Sequence, residues 1–243
     1  MRNIAETLDS EKRDPLCQKT ESLGGEFCIA QADARDVPAI AAVFTECFQD
    51  SVLHYCGSLP KPQAMEDVFR LVYEAEPAAA FVAKAGGEKA AGDKTPIIGY
   101  CFAPRRLSRL WLLAVARGHV FRWAWRWLSG QYGFGLHPVK IILLNKLAFL
   151  RSAVHPAQAI EARILSIAVT SAWRGRGVAA ALMAAAMDRF EKCGVRRVRL
   201  EVRPDNIPAV RLYRRFGYAG AGETFDSQGP WLIMIWERCS PNV

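Results

Sequence analysis

A short apolar segment followed at once by a basic, glycine-containing loop and an amphipathic helix most constrains how this chain can fold. Residues Ile164–Thr170 are rich in β-branched side chains, which predicts a buried strand. From Val178 to Cys193 apolar residues recur at helical spacing against a charged face, and Gly194 ends the helix. The chain therefore contains a strand–loop–helix unit, which is typical of α/β domains.

The loop Arg174–Ala179 has the features of an anion-binding site. Backbone N–H groups at the start of a helix lack intrahelical partners, and the helix dipole adds positive potential there. Gly175 and Gly177 allow a ligand to approach the backbone closely, while Arg174 and Arg176 add full charges. The pattern predicts a phosphate or pyrophosphate site; the alternative is that the glycines serve only the turn.

A second strand–helix unit follows directly beside the first. Residues Val195–Arg203 alternate between apolar and charged side chains, which predicts a half-buried strand. Asn206 can cap a short helix whose first turn contains Pro208, and Gly217 ends that helix. The buried stripe of the helix consists of Ala209, Leu212, Tyr213 and Phe216.

Together the two units resemble the core of the GNAT superfamily of N-acetyltransferases, with some similarity to the ribosomal-protein N-terminal acetyltransferases. The pattern Arg174-x-x-Gly177-x-Ala179 after an apolar strand is similar to the acyl-coenzyme A loop of that family, and residues Leu200–Tyr218 are similar to the second half of its core. The resemblance is close over residues 160–238. It implies an α/β fold of the acyl-CoA N-acyltransferase type, with a mixed central sheet flanked by helices.

The resemblance also implies a donor and a set of binding residues. The donor would be acetyl-CoA, with no metal involved, and its acetyl group would pass to a primary amine by direct attack. The loop would hold the pyrophosphate, the preceding strand would pair with the pantetheine arm, and Asn206 and Tyr213 would lie near the thioester. The implied binding residues are Ile167, Ala168, Val169, Arg174, Gly175, Arg176, Gly177, Val178, Ala179, Asn206 and Tyr213.

Tyr213 and Glu161 are the candidate catalytic residues. In many relatives a tyrosine in the place of Tyr213 protonates the departing thiolate, which a phenol with a pKa of about 10 can do; otherwise it is an ordinary buried aromatic. Glu161 resembles the glutamate that helps deprotonate the amine in N-terminal acetyltransferases; otherwise it is a solvated carboxylate. Glu201 is a rival base, for which we expect an ion pair with neighbouring arginines.

The rest of the chain fits one domain. Residues 1–25 are polar, lack the apolar core of a signal peptide, and are predicted to form a flexible tail. Residues 26–239 would form the GNAT domain. Its other predicted elements are strands at 26–32, 80–85, 97–102, 218–225 and 231–236, and helices that begin at Asp33 or Asp36 and at Gln63.

Residues 104–157 form a predicted insertion between two core strands. Apolar residues, including several tryptophans, are spaced as in two or three helices, with breaks near Gly118 and across Gly130–Pro138. From Lys94 to Ile160 there is no Asp or Glu. Nine basic residues follow Lys94 in this stretch: Arg105, Arg106, Arg109, Arg117, Arg122, Arg126, Lys140, Lys146 and Arg151.

Three interpretations of this insertion remain open. Its apolar faces can pack on the core or on a second subunit, as in a homodimer. Basic residues interleaved with tryptophan also suit an anionic membrane surface, although arginines interrupt every apolar run before the ~18 residues that a membrane span needs. Finally, the insertion can form a lid over the acceptor site. Nucleic acid is disfavoured, because no recognised binding module surrounds the charges.

The number and spacing of the cysteines and histidines limit the kinds of stabilising site that this protein can contain. Seven cysteines without a C-x-x-C pair and four scattered histidines argue against a disulfide framework and a zinc site. We therefore expect a cytoplasmic protein, with peripheral contact at the inner membrane surface as an open alternative. The predicted function is N-acyl transfer from acetyl-CoA to a small-molecule amine, an amino sugar or a peptide N-terminus. The alternative is a non-catalytic acyl-CoA-binding sensor or assembly subunit whose basic insertion contacts a membrane or a protein.

Overall fold

A computed structural model describes residues 26–86, 95–106, 108–133 and 160–238. The strands in these ranges are β1 (Phe27–Gln31), β2 (Ala80–Ala85), β3 (Ile97–Phe102), β4 (Ser166–Val169), β5 (Arg197–Val202), β6 (Ala219–Asp226) and β7 (Gly229–Glu237). The helices are α1 (Val37–Cys47), α2 (Gln49–Cys56), α3 (Pro62–Ala75), α4 (Ser108–Ala116), α5 (His119–Leu128), α6 (Val178–Lys192) and α7 (Ile207–Arg215).

The strands form two antiparallel sheets that meet at one point. The first sheet has the order β1-β2-β3-β4 and the second the order β5-β7-β6. A single parallel bridge pairs Arg163 with Arg199, just before β4 and within β5. Around this bridge the Ile164 N–H donates to the Arg199 carbonyl at 3.0 Å, and the Arg199 N–H donates to the Ala162 carbonyl at 2.9 Å. Beyond the bridge β4 and β5 belong to separate sheets, so the predicted mixed sheet has its parallel pairing only here among the described residues.

Helices cover both faces of the first sheet. On one face α6 buries Leu182, Met183 and Phe190 against β1, β2 and β3, because apolar residues fall on one side of this helix. On the other face α1 and α3 pack through an aromatic cluster, in which the ring of Phe69 lies 5.6 Å from that of Tyr100. The sheet is therefore buried on both sides, as its apolar strands require.

The sequence-based elements of the core are confirmed, with two differences. Strands β2 and β3 and helix α3 lie where the patterns predicted them, whereas the strand predicted at Ile164–Thr170 is shorter. Helix α2 was not predicted. It arises because the backbone at Phe48 (φ −122°, ψ 30°) leaves the helical region and starts a separate helix there.

Two helices of the predicted insertion are described. Helices α4 and α5 meet at Gly118, whose φ of 69° lies in the left-handed region that favours glycine. The tail 1–25, residues 134–159 and everything after Arg238 lie outside the described residues, so the predicted break across Gly130–Pro138 is described only as far as Gly133. Within the described ranges, the structure contains no helix of the length and apolar character that crossing a membrane requires.

Candidate active site

A cavity of about 590 Å³ opens where β4 and β5 separate. One side is formed by the two strand segments Ile164–Ile167 and Leu200–Arg203, which the single bridge holds together at one end. Helix α7 contributes its N-cap Asn206 and, near its C-terminal end, Tyr213, and α1, α2 and α3 form the opposite wall. Its volume lies within the range of small-molecule sites, and two splayed strands leave backbone groups that a ligand can pair with.

The predicted anion loop has the expected local geometry. Gly175 and Gly177 have φ values of 77° and 84°, and Gly177 is the N-cap of α6. A Cβ atom built on either glycine would meet no heavy atom within 4 Å, so open space lies in front of this backbone. The Arg174 Nε donates to the Val169 carbonyl at 3.2 Å, and the guanidinium of Arg176 lies over a tryptophan ring and pairs with Glu26 at 3.1 Å.

The strand predicted to pair with pantetheine lies at the edge of its sheet. Ile167, Ala168 and Val169 pair with β3 on one side, and β4 is the last strand of the sheet order. Of the three residues, Ile167 lines the cavity, while Ala168 and Val169 are buried. The outer edge of β4 can therefore accept an extended ligand as an added strand.

Tyr213 is brought into this cavity by α7. Its side chain is buried, and its ring lies 6.1 Å from that of Tyr218. Burial, and secondarily the electrostatic influence of Cys101, raises the pKa of Tyr213 well above its usual range. The phenol is therefore neutral over the physiological pH range and can act as a proton donor. Asn206 caps α7 by accepting a hydrogen bond from the Ala209 N–H at 3.3 Å.

The two candidate carboxylates occupy different places. Glu161 is exposed and lines a separate depression of about 390 Å³ with Glu76, Arg105 and Arg106, so the structure does not bring it to the cavity that contains Tyr213. Glu201, by contrast, lines that cavity, and it also forms the ion pair with Arg199 that the sequence suggested. The sequence did contain a signal for Glu201. This residue belongs to the second motif and lies on β5, the strand that precedes the helix of Tyr213.

Sequence reasoning missed a hydrogen-bond network at one end of the cavity. The Tyr55 hydroxyl of α2 donates to Asp226 at 2.7 Å, and the Trp231 indole and the Arg203 guanidinium donate to the same carboxylate at 2.8 Å and 3.0 Å. Burial opposes the charge on Asp226, but these bonds outweigh it and lower the pKa of the carboxyl. No sequence signal could reveal the network, because Tyr55 and Asp226 lie far apart in the chain.

The aromatic wall of the cavity was also not recognised as part of a site. Phe44, Phe48 and Phe69 line the cavity, and no motif of the sequence marks them as site residues. Among the described residues, the structure contains no group of three His, Cys, Asp or Glu side chains placed to hold a metal ion.

Comparison with known proteins agrees with this geometry. The family model described as "Acetyltransferase (GNAT) family" matches residues 38–218. Over 102 residues the chain is 29% identical to the ribosomal protein bS18-alanine N-acetyltransferase of Escherichia coli, covering 42% of this chain and 68% of that protein. Over 62 residues it is 40% identical to the mycothiol acetyltransferase of Brachybacterium faecium, which is 26% of this chain but only 19% of that relative's length.

A solved structure extends the similarity to the fold of nearly the whole chain. The protein yncA of Salmonella typhimurium, solved with its cofactor acetyl-CoA, superposes with a TM-score of 0.51 at 15% identity, covering 89% of this chain and 98% of that one. The match of the family model, the splayed strands and the glycine loop at the start of α6 agree with one another. The chain belongs to the acetyltransferase (GNAT) family.

Proposed function

We propose that this protein transfers the acetyl group of acetyl-CoA to a primary amine by direct attack, without a covalent enzyme intermediate. The observation that carries the proposal is the cavity between β4 and β5, which brings the open edge of one strand, Tyr213 and Glu201 to the same space. Family membership and the acetyl-CoA bound by yncA of Salmonella typhimurium support the choice of donor.

The donor would lie along the first motif. The backbone from Arg174 to Ala179 would bind the pyrophosphate, since helix N-termini favour anions and the space in front of both glycines is open. The pantetheine arm would pair with the free edge of β4 at Ile167–Val169. This path ends in the cavity near Asn206 and Tyr213, where the thioester would react.

The reaction needs a neutral amine and a proton donor for sulfur. The nitrogen attacks the thioester carbonyl carbon and forms a C–N bond, and the tetrahedral intermediate then breaks its C–S bond. Tyr213 would give its proton to the departing thiolate; its raised pKa keeps the buried phenol protonated until that step, and it also makes the phenol a weaker acid. Glu201 would take the proton of the amine, directly or through water. We assign this role to Glu201 rather than Glu161, because only Glu201 lines the cavity.

Tyr213→Phe and Glu201→Gln test these assignments. Thiol release from acetyl-CoA, measured with a panel of amines, should fall about 100-fold to 10,000-fold in each variant, because each loses a proton-transfer group. Acetyl-CoA binding measured by calorimetry should persist in both, and circular dichroism should confirm folding. Glu161→Gln is the comparison, and it should stay close to the parent rate. A severe loss in that variant combined with an active Glu201→Gln would reverse the assignment of the base.

The same experiment addresses the alternative of an acyl-CoA-binding sensor. A sensor would bind acetyl-CoA while no amine or peptide elicits thiol release. A chain that binds no form of coenzyme A would contradict both the enzyme and the sensor.

We further propose that the hairpin of α4 and α5 contacts an anionic membrane surface. Its inner side is fixed to α3, where Arg126 pairs with Asp67 at 2.5 Å and Arg117 with Glu74 at 3.0 Å. Its outer side exposes large apolar side chains: Leu112, Val115, Val120, Phe121, Trp125 and Leu128. An exposed apolar stripe within a segment that has basic but no acidic residues favours lipid headgroups of negative charge.

A further inference from the structure

We infer that the acceptor is a compact primary amine with an apolar body, either aromatic or branched aliphatic, and that the wall formed by α1, α2 and α3 selects it. This inference rests on the proposed function and names the substrate class of the same site. It separates two of the acceptors that the sequence left open, because an amino sugar carries strongly hydrated groups whereas an apolar small-molecule amine does not.

The part of the wall formed by α1 and α3 is apolar, α2 adds Ser51, Tyr55 and Cys56, and none of the described residues that line the wall is charged. The residues that α1 and α3 contribute to the cavity are Phe44, Met65, Val68, Phe69 and Val72. The rings of Phe44 and Phe69 are in contact, with their centroids 5.0 Å apart. Hydroxyl or ammonium groups placed against this surface would lose hydrogen bonds to water without replacement, which is costly. Transfer of an apolar body from water to this surface would instead have a favourable free energy.

The charged groups that do line the cavity are engaged by the protein. The Arg203 guanidinium donates to both oxygens of Asp226 at 3.0 Å and 3.1 Å, donates to Gln228 at 3.3 Å, and lies 3.9 Å from the centroid of the Trp231 ring. Glu201 is paired with Arg199. The network therefore holds the shape of the cavity. Its charges are already neutralised, so they provide little attraction for a second charge on the acceptor.

The far end of the cavity is joined by contacts between α2 and the turn of β6 and β7. The Tyr55 hydroxyl donates to Asp226 at 2.7 Å, and His54 Nε2 lies 2.8 Å from the hydroxyl of Ser227. The cavity of about 590 Å³ is open to solvent on one side and must also hold the thioester end of the donor. The space left for the acceptor therefore suits a small body, and a longer chain that extended through this end would have to break these contacts.

The test compares amines of similar size and opposite polarity. The kcat/KM for thiol release from acetyl-CoA is measured with phenethylamine and 3-methylbutylamine, and with glucosamine and 1,4-diaminobutane. We expect the apolar pair to exceed the hydrophilic pair by at least about tenfold, in line with the discrimination that apolar pockets achieve. A higher kcat/KM for glucosamine or the diamine would overturn the inference while leaving the proposed function in place.

Matched variants locate the preference. Val72→Thr places a hydroxyl on the wall at almost constant volume and should raise KM for 3-methylbutylamine about tenfold with kcat little changed. Val120→Thr makes the same change on the exposed side of α5 and should leave both parameters unaltered.

Two further outcomes are distinguishable. Repeating the series with longer acyl-CoA donors shows whether the wall binds the acyl chain, and a preference that follows chain length rather than the amine would overturn the inference. Absence of thiol release with every amine, while acetyl-CoA still binds, would overturn the proposed function and this inference with it.

Discussion

Gly99 shows how a single residue allows β4, the strand predicted to pair with pantetheine, to lie close to its neighbours. It lies in β3 opposite Val169 of β4, and a Cβ atom at this position would come within 2.9 Å of the Ala168 carbonyl oxygen and 3.3 Å of Leu182 of α6. The first of these neighbours is backbone, which cannot rotate away. The absence of a side chain at Gly99 therefore lets both β4 and α6 approach β3 closely.

Gly99→Ala should lower the free energy of unfolding by about 1–3 kcal/mol, because an added methyl group overpacks this contact. The added methyl group should also displace β4 and so weaken acetyl-CoA binding, since the free edge of β4 is predicted to pair with pantetheine. Urea unfolding and calorimetry measure the two effects. Gly194→Ala is not a suitable control, because the φ of Gly194 is 68° and alanine would be strained there. Ala185→Gly on α6, which also changes one methyl group, serves as the comparison. Unchanged stability and binding in Gly99→Ala would contradict the close-packing argument.

At the scale of elements, Glu76 joins three parts of the fold. It follows α3 directly and is buried, and it accepts hydrogen bonds from the Arg105 N–H and Nε, both at 2.9 Å, just beyond β3. Arg189 of α6 donates to the same carboxylate. Burial by itself would raise the pKa of Glu76, but the bonds from the two arginines outweigh it, and the net shift is downward.

Glu76→Gln should destabilise the protein by about 3–5 kcal/mol, because it leaves the largely buried guanidinium of Arg189 without its charged partner. The loss should depend on pH. A carboxyl whose pKa is lowered on folding stabilises the fold above its unfolded pKa, near 4.5, and this contribution disappears as the pH falls through the folded value.

Urea unfolding at several pH values checks this dependence. The difference between parent and variant should be full near pH 7 and should shrink below about pH 4.5. A difference that stays constant across this range would show that the charge of Glu76 contributes nothing to stability.

At the scale of the whole molecule, exposed apolar surface lies on the α4–α5 hairpin, which has four basic residues and no acid, and whose Arg117 and Arg126 are paired with Glu74 and Asp67 of α3. The chain has a formal net charge of +8, and the stretch after Lys94 contributes nine basic residues and no acid before Glu161. Long-range attraction to anionic lipid falls as salt rises, whereas apolar insertion depends on individual side chains. The two contributions can therefore be separated experimentally.

The protein should sediment with vesicles that contain phosphatidylglycerol, but not with pure phosphatidylcholine vesicles, and high salt should weaken the binding. The double variant Phe121→Glu, Trp125→Glu should reduce it at least about tenfold, because it removes two exposed apolar side chains and adds negative charge. Leu59→Glu alters an exposed apolar residue outside the hairpin and is the control.

Other occupants of the exposed side would give different results. Equal binding by the parent and the double variant would overturn the membrane proposal. A concentration-dependent dimer that the same variant dissociates, without vesicle binding, would assign this surface to a second copy of the chain.

Much of the core was predictable because its rules are local. The strand–loop–helix units at Ile164–Gly194 and Val195–Gly217 follow from apolar periodicity, caps and glycine positions, each set by neighbouring residues. Helix α2 was missed because its start depends on a backbone departure at Phe48 that no strong turn residue marks.

The sequence by itself determined the family, the glycine loop at the start of α6 and the place of Tyr213 on α7, because these depend on motifs that are contiguous in the chain. Only the tertiary structure decided which carboxylate shares a cavity with Tyr213, since Glu161 and Glu201 lie on either side of a bridge where two sheets part. It also decided that α1, α2 and α3 line the cavity. Such contacts join residues more than a hundred positions apart, and periodicity shows which face of an element is apolar but not what that face meets.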